Sequence, residues 1–105
     1  MKITLLGAGA WGTALSIAFA GKHELVLWSR EEDVAADLQT TRENHRFFPG
    51  YKLPESVAVA TDFDAAVTGA ELLIVATPIA GLRPTVERLK AIGCTLPVFW
   101  VCKGF

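Results

Sequence analysis

Charge of one sign is what this chain most plainly lacks. Ten lysines and arginines stand against eleven aspartates and glutamates, a net charge of −1 over 105 residues. With no basic tail, a nucleic-acid partner held by bulk electrostatics is not expected. Cysteine is scarce as well. Cys94 and Cys102 have neither a CxxC spacing nor a companion histidine cluster, so neither a zinc site nor a redox motif is read, and no metal is expected. Reduced thiols in a cytoplasmic protein are the simpler reading, with Cys102, inside a strand-like run, serving as a small core residue. Low-complexity tracts and internal repeats are absent, and no Ser-His-Asp or paired-carboxylate constellation is assembled. What remains is ordinary globular composition, 51% apolar and 20% charged, in a length that suits one domain with one core.

Glycine, by contrast, is placed with care. Gly7-Ala8-Gly9-Ala10-Trp11-Gly12 follows the apolar run Ile3-Thr4-Leu5-Leu6 directly. A G-x-G-x-x-G string alone is weak, but here a helix-compatible run from 13 to 20 and a second strand-like run, Leu25-Val26-Leu27-Trp28, come next. That is the βαβ setting in which the motif has a physical reason. Gly7 allows the tight turn out of the strand, Gly9 lets a pyrophosphate approach bare backbone, and Gly12 lets the helix pack closely on the sheet. The phosphates meet free N–H groups at the positive end of the helix dipole. Two plainer readings compete. Residues 3–21 carry no charge, Lys2 precedes them, and Ala18-Phe19-Ala20 mimics a cleavage site, so a signal peptide or a membrane span is conceivable. Against this, four glycines interrupt the run and α/β sequence continues beyond it. The other is buried α/β packing without any cofactor.

Strand and helix signals then alternate. Strands are expected at 2–6, 24–28, 57–60, 71–76 and 97–102, the last as a buried strand. Helices are expected at 10–20 with Gly21 as C-cap, from Ser29 to about Thr41, from about Thr61, and after Thr77-Pro78. Ser29-Arg30-Glu31-Glu32 matches a capping box with Ser29 as N-cap and Glu32 reaching back. Pro84 suits the first turn of the last helix, which stops at Gly93. Residues 42–56 read as a long irregular loop. The alternation predicts a doubly wound, three-layer α/β/α sheet of Rossmann type with strand order 3-2-1-4-5. It places the glycine turn and Thr77-Pro78 on one crevice. Strand five reads as an exposed edge, where 97–102 invites association, and the chain as a whole reads as the front part of a longer protein.

The end of the second strand reads the adenosine ribose in such folds. Trp28-Ser29-Arg30 offers no carboxylate there, and Arg30 supplies a planar charged fork, favouring NADP over NAD. Glu32 is occupied by the capping box on this reading, and Glu31 is solvated. Trp11 either projects over the cofactor or staples helix to sheet. Lys103 stands at a strand end where ligands gather, His23 in a surface turn, and Arg42, His45, Arg46 and Lys52 make the long loop basic, for phosphate or for solvent.

These segments, together with Asn44-His45-Arg46-Phe47-Phe48-Pro49-Gly50, Ala76-Thr77-Pro78 and Val101-Cys102-Lys103-Gly104-Phe105, resemble the N-terminal domain of bacterial NAD(P)-dependent glycerol-3-phosphate dehydrogenases. The resemblance spans essentially the whole chain. It implies reversible reduction of dihydroxyacetone phosphate to sn-glycerol 3-phosphate by NADPH, or NADH, for phospholipid synthesis. It also implies a cytoplasmic homodimer at full length. Residues 1–105 are then an incomplete NAD(P)-binding domain without its helical substrate domain, which carries the principal proton-transfer residue. Gly7, Gly9, Ala10, Trp11, Gly12, Arg30, Thr77, Pro78 and Lys103 are the implied cofactor contacts, and Lys103 also binds the phosphorylated substrate and polarises its carbonyl. Other two-domain reductases (ketopantoate reductases or hydroxyacid dehydrogenases) suit the glycine motif and Arg30 but not the Asn44 segment. A non-catalytic dinucleotide sensor remains open on fold alone.

Overall fold

The first apolar run is hydrogen-bonded on both sides. In the computed structural model, which describes residues 1–77 and 79–101, Lys2–Leu6 forms β1 between β2 (Glu24–Trp28) and β6 (Leu72–Val75), parallel to both. Alternation along β1 divides the core. Ile3 and Leu5 face one side with Leu25, Leu27, Val34 and Leu38. Leu6 joins Phe63, Ala66, Val67, Leu73, Val75 and Leu89 on the other. The first side is covered by α1 (Ala10–Phe19) and α2 (Glu32–Thr41), the second by α3 (Phe63–Val67) and α4 (Ile79–Ala91). A leucine buried as fully as Leu5 or Leu6 contributes about 1.5–3 kcal/mol. Thr4, on the second side, donates its hydroxyl to the Ala66 carbonyl at 2.6 Å and so ties β1 to α3.

Two short strands of the 42–56 stretch, β3 (Glu43–Asn44) and β4 (Phe48–Lys52), pair antiparallel as a separate hairpin. β5 (Ala58–Ala60) and β7 (Val98–Trp100) complete the main sheet, whose order is β5-β2-β1-β6-β7 with every neighbour parallel. Leaving the hairpin aside, this is the 3-2-1-4-5 order expected of a doubly wound α/β fold.

Several local expectations are corrected. Residues 42–56 are not irregular throughout, since 43–44 and 48–52 are strands. Arg42 takes a left-handed conformation at φ 61° as the C-cap of α2, its N–H bonding to the Leu38 carbonyl, and turns the chain into the hairpin. The Ser29 capping box does not form. Ser29 Oγ instead closes a local turn, accepting from Glu31 N–H at 3.2 Å and donating to the Glu31 carbonyl at 3.0 Å, and α2 begins at Glu32 with Glu31 as its cap. A hydroxyl that satisfies a nearby turn is not available to the helix. The first helix ends at Phe19 with Ala20 as its cap, short of Gly21. Pro84 lies inside α4, which starts five residues earlier, rather than in its first turn. β7 is not buried: Phe99 and Trp100 are 62% and 47% exposed, because β7 is the last strand of the sheet and has a neighbour on one side only. Cys102, expected in the core, lies outside the described residues, while half-buried Cys94 packs against the second cluster.

Candidate dinucleotide crevice

The turn after β1 is built by glycines that touch backbone. Gly7 has φ 120°, and a Cβ there would stand 2.5 Å from the Ala76 carbonyl oxygen. Its N–H bonds to the Trp28 carbonyl at 2.8 Å, so the turn leaves the sheet between the ends of β2 and β6. At Gly12 a Cβ would collide with the Gly7 carbonyl oxygen. Both positions therefore enforce the fold. Gly9 differs: a Cβ there would meet nothing within 4 Å among the described residues. It caps α1 at φ −76° and ψ −164°, which any residue adopts, and no side chain caps the helix or adds an acid to its first turn. The first-turn N–H groups lack intrahelical acceptors by construction. Bare backbone, free donors and the positive helix end together make a seat for an anion.

The cleft above this seat has a volume of about 320 Å³ and is lined by Gly9, Ala10 and Trp11 on one side and Ala76, Thr77 and Val101 on the other, with Phe47 closing it. Trp11 is 51% exposed, so it is not the helix-to-sheet staple considered from sequence. Thr77 Oγ1 is buried and has no hydrogen-bond partner among the described residues, a polar group for which a ligand hydroxyl or phosphate is suitable chemistry. Pro78 and Lys103 lie outside the described residues.

Phe47 is held there by a residue whose role the sequence does not announce. Asn44 is wholly buried. Its amide donates to the Ala8 carbonyl at 2.7 Å and to Thr13 Oγ1 at 2.9 Å, and its carbonyl accepts from Phe47 N–H at 3.0 Å. One side chain thus joins the glycine loop, the first turn of α1 and the hairpin. The signal available in sequence was an asparagine between charged residues, which reads equally well as a turn.

The basic side chains of this stretch mostly contact the protein itself. Arg42 Nη2 donates to the Pro54 and Val57 carbonyls, 2.6 Å each. His45 lies 3.0 Å from Asp37 and 3.1 Å from Glu43. Arg46 lies 3.2 Å from Asp33 and covers the Phe47 ring, and Lys52 donates to the Thr41 carbonyl. These basic groups thus have partners within the protein. The His45 backbone N–H, first among several bonds, holds the Asp37 carboxyl below the usual carboxylate range. His23 is half-buried, edge-on to Phe19, rather than a plain surface residue.

A second cavity of about 440 Å³ opens at the end of β2. Trp28, Ser29 and Arg30 form its strand side, Glu32, Ala35, Ala36 and Gln39 its α2 side, and Thr61 and Arg88 the remainder. The Arg30 side chain is 59% exposed and lies 3.8 Å from Glu31, which is therefore engaged rather than merely solvated. One cavity is lined by the end of β2 and the other by the glycine turn that follows β1, the two places where this kind of fold holds the ribose and the pyrophosphate of a dinucleotide. Among the described residues, no group of three or more histidines, cysteines or carboxylates is placed to hold a metal ion, and no helix is long and apolar enough to cross a membrane.

Comparison with known proteins agrees with this geometry. The chain is 85% identical over 105 residues to glycerol-3-phosphate dehydrogenase [NAD(P)+] of Dechloromonas aromatica, covering 100% of this chain and 32% of that one. It is 46% identical over 104 residues to the protein of the same name from Aromatoleum aromaticum, covering 99% and 32%. The crystal structure of glycerol-3-phosphate dehydrogenase from Coxiella burnetii superposes with a TM-score of 0.85 at 29% identity, covering 99% of this chain and 33% of that one. The Saccharomyces cerevisiae enzyme shares the fold, with a TM-score of 0.84 at 21% identity over 100% of this chain and 34% of that one. The chain spans about a third of the length of the relatives it matches. The family model described as the NAD-dependent glycerol-3-phosphate dehydrogenase N-terminus matches residues 2–105, so the chain belongs to that family.

Proposed function

We propose that residues 1–105 are the NAD(P)-binding domain of a two-domain oxidoreductase that interconverts dihydroxyacetone phosphate and sn-glycerol 3-phosphate. The observation that carries this is the open space above Gly9 at an uncapped helix N-terminus, in a chain of this family. The dinucleotide, when bound, supplies or accepts the hydride. The chain's own residues do the rest. Gly7 and Gly12 shape the turn, and Gly9, Ala10 and Trp11 present backbone donors to the pyrophosphate. Thr77 lines the far wall, Pro78 is a further cofactor contact on this reading, and Phe47 with Trp11 shields the cleft from water. Lys103 binds the substrate phosphate ester and polarises its carbonyl. A helical second domain carries the principal proton-transfer group and completes a cytoplasmic homodimer serving phospholipid synthesis.

Arg30 reads the adenosine ribose and favours NADPH, with NADH also accepted. Its guanidinium is a fork suited to a 2′-phosphate, and no carboxylate occupies the last position of β2, which is Trp28. Calorimetric titration of the chain with NADPH and NADH at matched ionic strength tests this. Arg30→Ala is expected to weaken NADPH binding by about 1–3 kcal/mol, toward the lower end because the side chain is largely exposed, and NADH binding far less. Equal losses for both would remove the phosphate-reading role.

A further inference from the structure

The cavity at the end of β2 contains a second cation that the strand does not supply. Arg88 comes from the last turn of α4, on the opposite side of the sheet from α2, and lines the same cavity as Arg30. Its guanidinium carbon sits 4.5 Å above the centre of the Phe63 ring. Phe63 is itself 1% exposed and packed edge-on to Trp28, centroids 5.0 Å apart. The ring stack thus anchors Arg88 from below, at a favourable cation–π distance, and leaves its N–H edges for another partner. The cavity lining holds two guanidinium groups and one carboxylate, Glu32; Glu31 lies 3.8 Å from Arg30, while Arg88 is held by the Phe63 ring.

We propose that Arg88 is a specificity-determining residue for the cofactor, a second guanidinium that contacts the 2′-phosphate opposite Arg30. This rests on the crevice being a dinucleotide site. A phosphate dianion between two planar forks gains charge-assisted bonds from both, whereas a ribose hydroxyl in the same place gains little. A cation already oriented by Phe63 loses less rotamer freedom on binding than Arg30, whose side chain is 59% exposed. The competing role for an arginine at this place is stacking on the adenine ring, which would serve both cofactors alike.

Titration of the chain with adenosine 2′,5′-bisphosphate and with 5′-AMP separates the two roles. Arg88→Ala should raise the Kd for the bisphosphate about tenfold, the scale of one charge-assisted bond, and leave that for 5′-AMP within about twofold. Arg88→Lys keeps the charge without the fork and should fall between. The residue is exposed, and a thermal melt of each variant confirms that the fold persists. Equal losses for both ligands would make Arg88 an adenine contact and overturn the proposal, as would no loss for either. If Arg30→Ala weakens the bisphosphate while Arg88→Ala does not, only the Arg88 assignment fails. If the unaltered chain binds neither ligand, the dinucleotide reading fails with it.

Discussion

At the scale of single residues, the three glycines of the loop do two different jobs. Gly7 and Gly12 are held by contact: a methyl at either meets backbone carbonyl oxygen, which cannot yield. Gly12→Ala is therefore expected to cost several kcal/mol through displaced backbone, on the order of an overpacked core site, read as a large fall in Tm. Asn44, in β3, is a third residue that holds the loop in place. Removing its side chain strands the Ala8 carbonyl, Thr13 Oγ1 and Phe47 N–H without the partners they now have. Asn44→Ala should destabilise the chain by about 1–3 kcal/mol in a urea titration, and it should weaken NADPH binding further by freeing Phe47. Intact stability would show that Asn44 is not the tie between loop and hairpin.

At the scale of elements, the hairpin is where sequence and structure part. The five parallel strands were legible because apolar runs of four to six residues repeat between helical segments, and β1 and β2 coincide with the expected spans. The hairpin was not legible because β4 contains Pro49 and Gly50, residues that ordinarily demote a strand, and because β3 is two residues long. Its stability comes from tertiary ties instead: Asn44 to the loop, and His45 and Arg46 to Asp37 and Asp33 of α2. The helix starts failed for a related reason. A capping-box pattern at Ser29 and a proline at position 84 are local signals, and a turn bond at Ser29 and the longer α4 took precedence.

The Asp37 carboxyl gives this docking a pH dependence. Its native pKa is lowered, so its contribution is present above the ordinary carboxylate range and is lost as the pH falls through the lowered native value. Hairpin amides should accordingly lose hydrogen-exchange protection in acid before those of β1, and Asp37→Asn should remove that difference. The edge strand has its own consequence. Phe99 and Trp100 stand exposed on β7, an unpaired edge of the kind that recruits other strands. Phe99→Lys should reduce concentration-dependent association in sedimentation without lowering Tm. Unchanged association would place the sticky surface elsewhere.

For the whole molecule, the crevice at the switch point was the most legible feature, because the glycine spacing, the strand order and the ligand position belong to one physical scheme. Less legible was what closes that crevice. Phe47, held by Asn44, reaches it, and Arg88 reaches the cavity at the end of β2, from elements whose placement depends on tertiary packing rather than on local pattern. The relatives are about three times as long as this chain, and the proposal places the principal proton-transfer group in that remainder. The purified chain should therefore bind dinucleotide but show no turnover of dihydroxyacetone phosphate with NADPH, followed by loss of nicotinamide absorbance. Measurable turnover would mean that the groups needed for reduction lie within these residues.

The central claim is that the open backbone at Gly9 receives the dinucleotide phosphates, and Gly9→Ala tests it most directly. A methyl there meets no atom of the described residues within 4 Å and the backbone conformation suits alanine, so the fold should be untouched while the pyrophosphate is obstructed. The measurement is calorimetric titration of the unaltered chain and of Gly9→Ala with NADPH, each paired with a thermal melt. The account predicts NADPH binding by the unaltered chain, loss of that binding in the variant, and the same Tm for both. NADPH binding of equal strength by the two would contradict it.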